Sequence, residues 1–167
     1  FAKHRDVIDR AHATKGVKVI AGGTYDDSVG FFIRPTILEI DDPADEAFSI
    51  EYFGPILAVH VYADSKYDKV LDQMESASPY ALTGSIIATD RAAIVDAEER
   101  LRFAAGNFYV NDKPTGAVVG QQPFGGGRAS GTNDKAGSPL NLMRWTSARS
   151  IKETFSAATS HGYPHMG

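Results

Sequence analysis

The chain has 167 residues, enough for one domain, and its 43% hydrophobic and 23% charged content is ordinary for a globular protein. Its net charge of -4 and its scattered basic residues argue against nucleic acid as a partner. No apolar run approaches the roughly 20 residues that span a bilayer, and the absence of cysteine excludes disulfides and cysteine-ligated metals.

The first part of the chain is predicted to begin with a helix over 5–15, where Val7, Ile8 and Ala11 fall on one side. Short apolar runs that are separated by turn residues then predict strands. These strands are expected at 17–21, 31–33, 36–40 and 56–62.

Helices and strands alternate in the next part. Apolar residues at helical spacing predict a helix over 66–76 and a second helix, capped by Thr89 or Asp90, that continues to 103. Strands are expected at 82–88 and 108–110. This alternation is typical of the α/β class, and we predict a mostly parallel sheet with crossover helices.

Residues 111–139 interrupt the alternation with a loop that is dense in Gly, Pro, Asn and Ser. A loop of this length inside a compact domain is typically functional or disordered. Around Gly116 and Ala117, consecutive small residues leave backbone N–H groups open, and such groups can receive a carboxylate or another anion. An ordinary flexible loop is the competing interpretation.

Two short strings are candidates for ligand contacts. In Glu51-Tyr52-Phe53, an extended backbone places Glu51 and Phe53 on the same side. The carboxylate can accept hydrogen bonds from both hydroxyls of a nicotinamide ribose, and the ring can pack near the nicotinamide. Taken alone, so short a pattern is better explained by a surface glutamate before a core phenylalanine and a turn.

The second string is Pro123-Phe124-Gly125-Gly126, in which the glycines allow the backbone to approach a ligand closely. Phe124 is then expected to form a wall of the ligand site, and a tight turn with a buried aromatic ring is the alternative. The five histidines are interpreted as structural or solvated, and no metal site is predicted.

The order of these strings resembles the C-terminal third of the aldehyde dehydrogenase superfamily. The motifs that carry the resemblance are Glu51-x-Phe53-Gly54-Pro55, Gly106-Asn107-x-x-x-Asn111 and Pro123-Phe124-Gly125-Gly126-x-x-x-Ser130-Gly131. Longer strings are similar to the subfamily of Δ1-pyrroline-5-carboxylate dehydrogenases. These strings lie at 106–113, 119–126, 128–135, 144–147 and 151–154, and the resemblance covers about 1–155.

The resemblance implies part of an NAD-dependent dehydrogenase that oxidises glutamate γ-semialdehyde to glutamate in proline catabolism. Residues 1–145 would form the later part of the catalytic domain, 146–155 an oligomerisation strand, and 156–167 a tail. The resemblance further implies a homo-oligomer, located in the mitochondrial matrix of a eukaryote or in the cytoplasm of a bacterium.

The resemblance also implies roles for five residues. Glu51 would bind the nicotinamide ribose with Phe53 as its aromatic neighbour, while Gly116, Ala117 and Phe124 would hold the α-carboxylate and α-amino group of the substrate. Ala117 departs from the close family pattern, which has a serine that donates to the substrate carboxylate. The loss of one such donor costs about 1–2 kcal/mol of binding free energy.

The implied chemistry needs a cysteine thiolate, and the chain contains no cysteine. We therefore expect the nucleophile, the general-base carboxylate and the dinucleotide-binding domain to precede Phe1, and the 167 residues alone to be inactive. Two alternatives remain at this point. The chain would be a non-catalytic binding or assembly module, or part of an aldehyde dehydrogenase with a different substrate.

Overall fold

The computed structural model describes residues 1–118, 121–131, 135–162 and 164–166. It begins with helix α1 (Ala2–Ala13), which buries the predicted apolar side formed by Val7, Ile8 and Ala11. The helix ends at Ala13, because the next residue, Thr14, has extended backbone angles.

Helix α1 covers a three-stranded sheet with the order β1-β4-β5. The strands are β1 (Val17–Ala21), β4 (Thr36–Ile40) and β5 (Ile56–Val59). Alternate residues of β4 are buried, and Leu38 and Ile40 pack with Val7 and Ala11 of the helix. A small hairpin of β2 (Tyr25–Asp26) and β3 (Phe32–Ile33) connects β1 to β4.

A second group of elements follows in the chain. It contains α2 (Tyr67–Ser76), β6 (Tyr80–Ala81), β7 (Thr83–Ile86), α3 (Arg91–Arg100), β8 (Asn107–Val110) and β9 (Gly127–Arg128). Helices α2 and α3 pack through Leu71, Ala97 and Leu101, which are almost completely buried. The Asp90 carboxylate accepts a hydrogen bond from the Ala92 N–H and caps α3, as one of the two predicted caps.

Strand β9 lies within the 111–139 loop and connects the loop to the second group of elements. It pairs with β6 in antiparallel orientation, and the Arg128 guanidinium donates to the main-chain carbonyls of Glu75 and Ser78. The Ser130 hydroxyl accepts a hydrogen bond from the Ala81 N–H at 3.1 Å. Helix α4 (Pro139–Leu142) and a 3₁₀ turn at Met143–Trp145 follow this loop.

The α/β class is confirmed, but the strand pairing is mixed rather than mostly parallel. Strands β4 and β5 are parallel, and β7 and β8 are parallel with α3 as their crossover helix. Strand β1 is antiparallel to β4, because a hairpin rather than a crossover helix joins these two strands. The two remaining described pairs, β2–β3 and β6–β9, are also antiparallel.

The expected strand at 146–155 is not formed in this chain, where the residues have no regular secondary structure. Its side chains are exposed, with Ile151 77% and Phe155 93% accessible. A strand requires a neighbour for its backbone hydrogen bonds, and no described strand pairs with this segment. Its role in oligomerisation stays a prediction. Among the described residues, no helix has the length and apolar character needed to cross a membrane.

Candidate functional site

Residues 51–55, called the cofactor loop below, lead into β5 and are held by the first turn of α1. The Lys3 ammonium donates to the main-chain carbonyl of Glu51 at 3.1 Å. The His4 Nε2–H donates to the main-chain carbonyl of Tyr52 at 2.8 Å. Both contacts use backbone acceptors, so they fix the path of the loop without engaging the Glu51 carboxylate.

The Glu51 side chain is exposed, and its carboxylate makes no hydrogen bond or ion pair with any residue in the described part of the chain. An ionised carboxylate accepts hydrogen bonds only, and each of its oxygens can take more than one donor. Glu51 is therefore available to bind a pair of neighbouring hydroxyl groups, such as those of a ribose.

Phe53 corrects the expectation of an extended stretch, because its φ angle is +53°. A left-handed residue interrupts the alternation of side chains, so the argument that Glu51 and Phe53 share a side does not apply. Both side chains are nevertheless accessible, and the Phe53 ring is 84% exposed. The interpretation of Phe53 as a core residue is wrong.

Gly54 lies directly against the imidazole of His4. A Cβ atom at position 54 would lie 2.2 Å from His4 Nε2, which is far inside van der Waals contact. Only glycine fits this approach without movement of the ring. The close packing at Gly54 and the hydrogen bond to Tyr52 thus fix the cofactor loop to α1 at two adjacent points.

Tyr52, unlike Glu51 and Phe53, is partly buried and packs against the core between α1 and the sheet. Burial is the main cause that raises the pKa of its phenol, and the nearby Glu46 carboxylate raises this pKa further. The phenol therefore remains neutral at physiological pH. Its part in the loop is to pack, while Glu51 and Phe53 on either side remain accessible.

A cleft of about 280 Å³ lies beside Glu51, between the segment that precedes the cofactor loop and strands β6 and β7. Phe48, Ile50, Tyr80 and Leu82 are among the residues that line it. No described residue of the 111–139 loop lines this cleft. The cleft is therefore lined by Glu51, a predicted cofactor contact, but by none of the predicted substrate contacts Gly116, Ala117 and Phe124.

Residues 111–139, called the anchor loop below, begin with an arm that contains Gly116 and Ala117. The Asn111 amide oxygen accepts from the Ala88 N–H at 2.9 Å, and the residue adopts a φ angle of +54°. The Tyr109 hydroxyl donates to the main-chain carbonyl of Thr115 at 2.9 Å. The N–H groups of Gly116 and Ala117 donate to no described residue, and their binding of an anion stays a prediction.

The second arm of the anchor loop contains Phe124, which is half-buried. Its N–H and carbonyl form an antiparallel bridge with Ala136, with N···O distances of 2.7 and 3.0 Å. On the other side, the Asn107 amide donates to the Pro123 carbonyl at 2.8 Å and accepts from the Gly125 N–H at 3.1 Å. The backbone around Phe124 is therefore held from both sides.

Gly106 allows this second arm to lie close to β8. A Cβ atom at position 106 would lie 2.1 Å from the Gly125 carbonyl oxygen, so no larger residue fits here. The Lys135 ammonium donates to the Gly106 carbonyl at 2.6 Å and closes the same junction. Parts of the longer motifs, at 119–120 and 132–134, lie outside the described residues.

Four residues near these loops were not predicted as site residues. They are Lys3, His4, Asn107 and Tyr109. His4 was expected to be structural or solvated, and it is structural, but at the cofactor loop. The sequence does contain a signal for Asn107 and Tyr109. Both side chains end in a polar group, and the two residues are spaced for one face of a strand immediately before the anchor loop. For Lys3 and His4 the sequence offers no comparable signal.

Comparison with known proteins places this geometry in a family. A model of the aldehyde dehydrogenase family matches residues 1–151. The mitochondrial Δ1-pyrroline-5-carboxylate dehydrogenase of Dictyostelium discoideum is 55% identical over 166 residues, which make up 99% of this chain and 30% of that protein.

Solved structures agree with this result. The crystal structure of the Δ-pyrroline-5-carboxylate dehydrogenase from Mycobacterium tuberculosis is 67% identical with a TM-score of 0.89, and the match covers 99% of this chain and 31% of that chain. For the structure bound with NAD, the identity is 64% and the TM-score 0.87, with 99% and 30% of the two chains covered.

The resemblance expected from the motifs is confirmed, including the similarity to Δ1-pyrroline-5-carboxylate dehydrogenases. The chain spans about 30% of the length of the relatives that it matches. Because the family model covers 151 of the 167 residues, the chain belongs to the aldehyde dehydrogenase family.

Proposed function

We propose that this chain is part of an NAD-dependent dehydrogenase that oxidises glutamate γ-semialdehyde to glutamate, a step of proline catabolism. The observation that carries the proposal is high identity along nearly the whole chain to Δ-pyrroline-5-carboxylate dehydrogenases, one of them bound with NAD. The open amide groups of the anchor loop support an aldehyde substrate that carries a carboxylate.

The cofactor loop fits one end of NAD. Glu51 offers a carboxylate that is exposed and without a described partner, so it can accept from both hydroxyls of the nicotinamide ribose. The exposed Phe53 ring provides an apolar surface next to it. When bound, NAD supplies the ring that accepts hydride from the aldehyde carbon. Glu51 and Phe53 would orient that ring and take no part in the proton transfer.

The anchor loop would bind the opposite end of the substrate. The N–H groups of Gly116 and Ala117 would donate to the α-carboxylate, and Phe124 would contact the carbon chain. Binding at this distance from the aldehyde restricts the position of the reacting carbon and lowers the entropic part of the barrier. The methyl group of Ala117 cannot replace the hydroxyl donor of serine, so backbone amides carry the interaction at this position.

The nucleophile of the proposed reaction lies outside these 167 residues, since they contain no cysteine. We expect the 167-residue polypeptide to be inactive alone. The proposal extends to a homo-oligomer in which 146–155 pairs with a second copy. It also extends to location, in the mitochondrial matrix for a eukaryotic protein or in the cytoplasm for a bacterial one. The name of the Dictyostelium relative describes that protein as mitochondrial.

The test uses the complete polypeptide that contains this chain. Formation of NADH is measured with glutamate γ-semialdehyde and with propanal, which lacks the α-amino acid group. We expect kcat/KM to be at least about 100-fold higher for the amino acid aldehyde, because the open amides lose their partner with propanal. Equal kcat/KM values for the two aldehydes would rule out the proposed substrate, and absence of NADH formation with either would rule out the proposed reaction.

A further inference from the structure

Asn107 and Tyr109 lie two residues apart on β8, the strand that leads into the anchor loop. In a strand, residues at this spacing point to the same face. Both side chains end in a polar group, and both polar groups bind parts of the anchor loop. One face of β8 therefore contacts the loop at several separate positions.

Asn107 holds the second arm by both ends of its amide. The side chain is 8% exposed, and its donor and its acceptor are used by Pro123 and Gly125, the two residues that flank Phe124. A buried amide that uses both functions fixes its own orientation as well as that of its partners. On the side opposite the bridge to Ala136, the position of the Phe124 backbone thus depends on this side chain.

Tyr109 connects the two arms to each other. Its hydroxyl donates to the carbonyl of Thr115, which directly precedes Gly116, and accepts from the Gln122 amide at 3.2 Å, two residues before Phe124. A single oxygen atom therefore lies between the arm with the open N–H groups and the arm with the aromatic wall. The distance between these two arms is set in part by this atom.

Among the described residues, the other contacts of the first arm near Gly116 are local: the Thr115 N–H donates to the Lys113 carbonyl, and the Val118 carbonyl accepts from the Gln121 N–H. The side chains of Lys113, Pro114, Thr115 and Val118 are exposed, so no apolar packing fixes them. An exposed segment without buried contacts opens at low free energy. The hydrogen bond from Tyr109 therefore ties the residue before Gly116 to β8.

We propose that Asn107 and Tyr109 are positioning residues that set the spacing of the two arms, and thereby the selectivity for an aldehyde with an α-amino acid group. The inference rests on the proposed function of Gly116, Ala117 and Phe124. Neither residue touches the reacting carbon. Their loss would weaken binding of the amino acid end of the substrate and leave an aldehyde that lacks this end unaffected.

The experiment compares Tyr109→Phe and Asn107→Asp with the control Tyr67→Phe in the complete polypeptide. Tyr67 also donates its hydroxyl to a main-chain carbonyl, that of Ala93 at 3.0 Å, but between α2 and α3. The kcat and KM are measured for glutamate γ-semialdehyde and for propanal at saturating NAD, and each variant is checked by thermal unfolding.

In Tyr109→Phe, KM for glutamate γ-semialdehyde is expected to rise about fivefold, while its kcat and the kcat/KM for propanal change less than about twofold. In Asn107→Asp the rise is expected to reach about tenfold, because a carboxylate oxygen replaces the donor opposite the Pro123 carbonyl. Tyr67→Phe is expected to leave the ratio of the two aldehydes unchanged.

A parallel loss with both aldehydes, or a ratio no different from that of Tyr67→Phe, would overturn the inference and leave the proposed function intact. If the unmodified enzyme shows no preference for the amino acid aldehyde, the proposed function fails and the inference fails with it.

Discussion

The cofactor loop and the anchor loop are both irregular, but they expose different groups to their proposed ligands and are held in different ways. The cofactor loop offers a side chain, the Glu51 carboxylate, while α1 binds its backbone carbonyls. The anchor loop exposes backbone N–H groups, while side chains of β8 donate hydrogen bonds to its backbone carbonyls. The identity of the ligand-facing residue should therefore matter greatly in the first loop. In the second loop, the residues that hold the backbone should matter more.

The largest expected effect is that of Glu51→Gln in the complete enzyme. The amide loses the charge and half of the acceptor capacity, and hydrogen bonds to a charged group contribute about 1.5–3 kcal/mol, so kcat/KM for NAD should fall about tenfold or more. The value of kcat/KM for NAD is measured by steady-state kinetics at varied NAD concentration. The control is Glu39→Gln, which removes a carboxylate that pairs with Lys18 on the sheet at 2.8 Å. Unchanged cofactor kinetics in Glu51→Gln would refute the role of Glu51.

A second prediction concerns how α1 holds the cofactor loop. Gly54→Ala places a Cβ atom 2.2 Å from His4 Nε2 and should displace the cofactor loop, so KM for NAD is expected to rise about tenfold. His4→Ala alone loses the hydrogen bond to Tyr52, and about a fivefold rise is expected.

The double variant makes this prediction specific. Without the His4 ring, the methyl group of Ala at position 54 has room, so Gly54→Ala with His4→Ala should behave like His4→Ala alone. Additive effects of the two changes would mean that the contact between Gly54 and His4 does not position the loop.

The smallest effect is expected in the anchor loop, at the residue that departs from the family pattern. Ala117→Ser adds a hydroxyl donor beside open amide groups, and KM for glutamate γ-semialdehyde should fall about threefold. The same kinetic assay with propanal is the control and should not change. A decrease as large as the effect of Glu51→Gln would show that side chains dominate in this loop as well, and the contrast between the loops would be lost.

The elements were predictable where the pattern is local. Helix α1 followed from Val7, Ile8 and Ala11, and the α2–α3 pair from apolar residues at helical spacing, because each signal lies within a few residues. Strand β5 ends at Val59, earlier than predicted, because the ladder with β4 ends there with the pair Glu39–Val59. That limit is set by a neighbouring strand and has no local signal.

Candidate site residues could be named from the sequence, but the contacts that hold their backbone could not. Glu51 and Phe124 were found from short motifs, and their roles stay predictions. The contact between His4 and Tyr52 joins residues 48 positions apart, so no periodicity carries it. The left-handed angle of Phe53 has no local sequence signal either. Residues 146–155 pair with no described strand of this chain, and the expected pairing with a second copy stays a prediction.

The closure of the anchor loop by β9 has a consequence for the order of folding. The contact of Arg128 with the Glu75 carbonyl joins residues 53 positions apart, and that of Ser130 with Ala81 joins residues 49 apart. Closing loops of this length costs conformational entropy before the contacts at their ends are made. We therefore expect these contacts to form late in folding, after the local structure of α2 and of the β6 region.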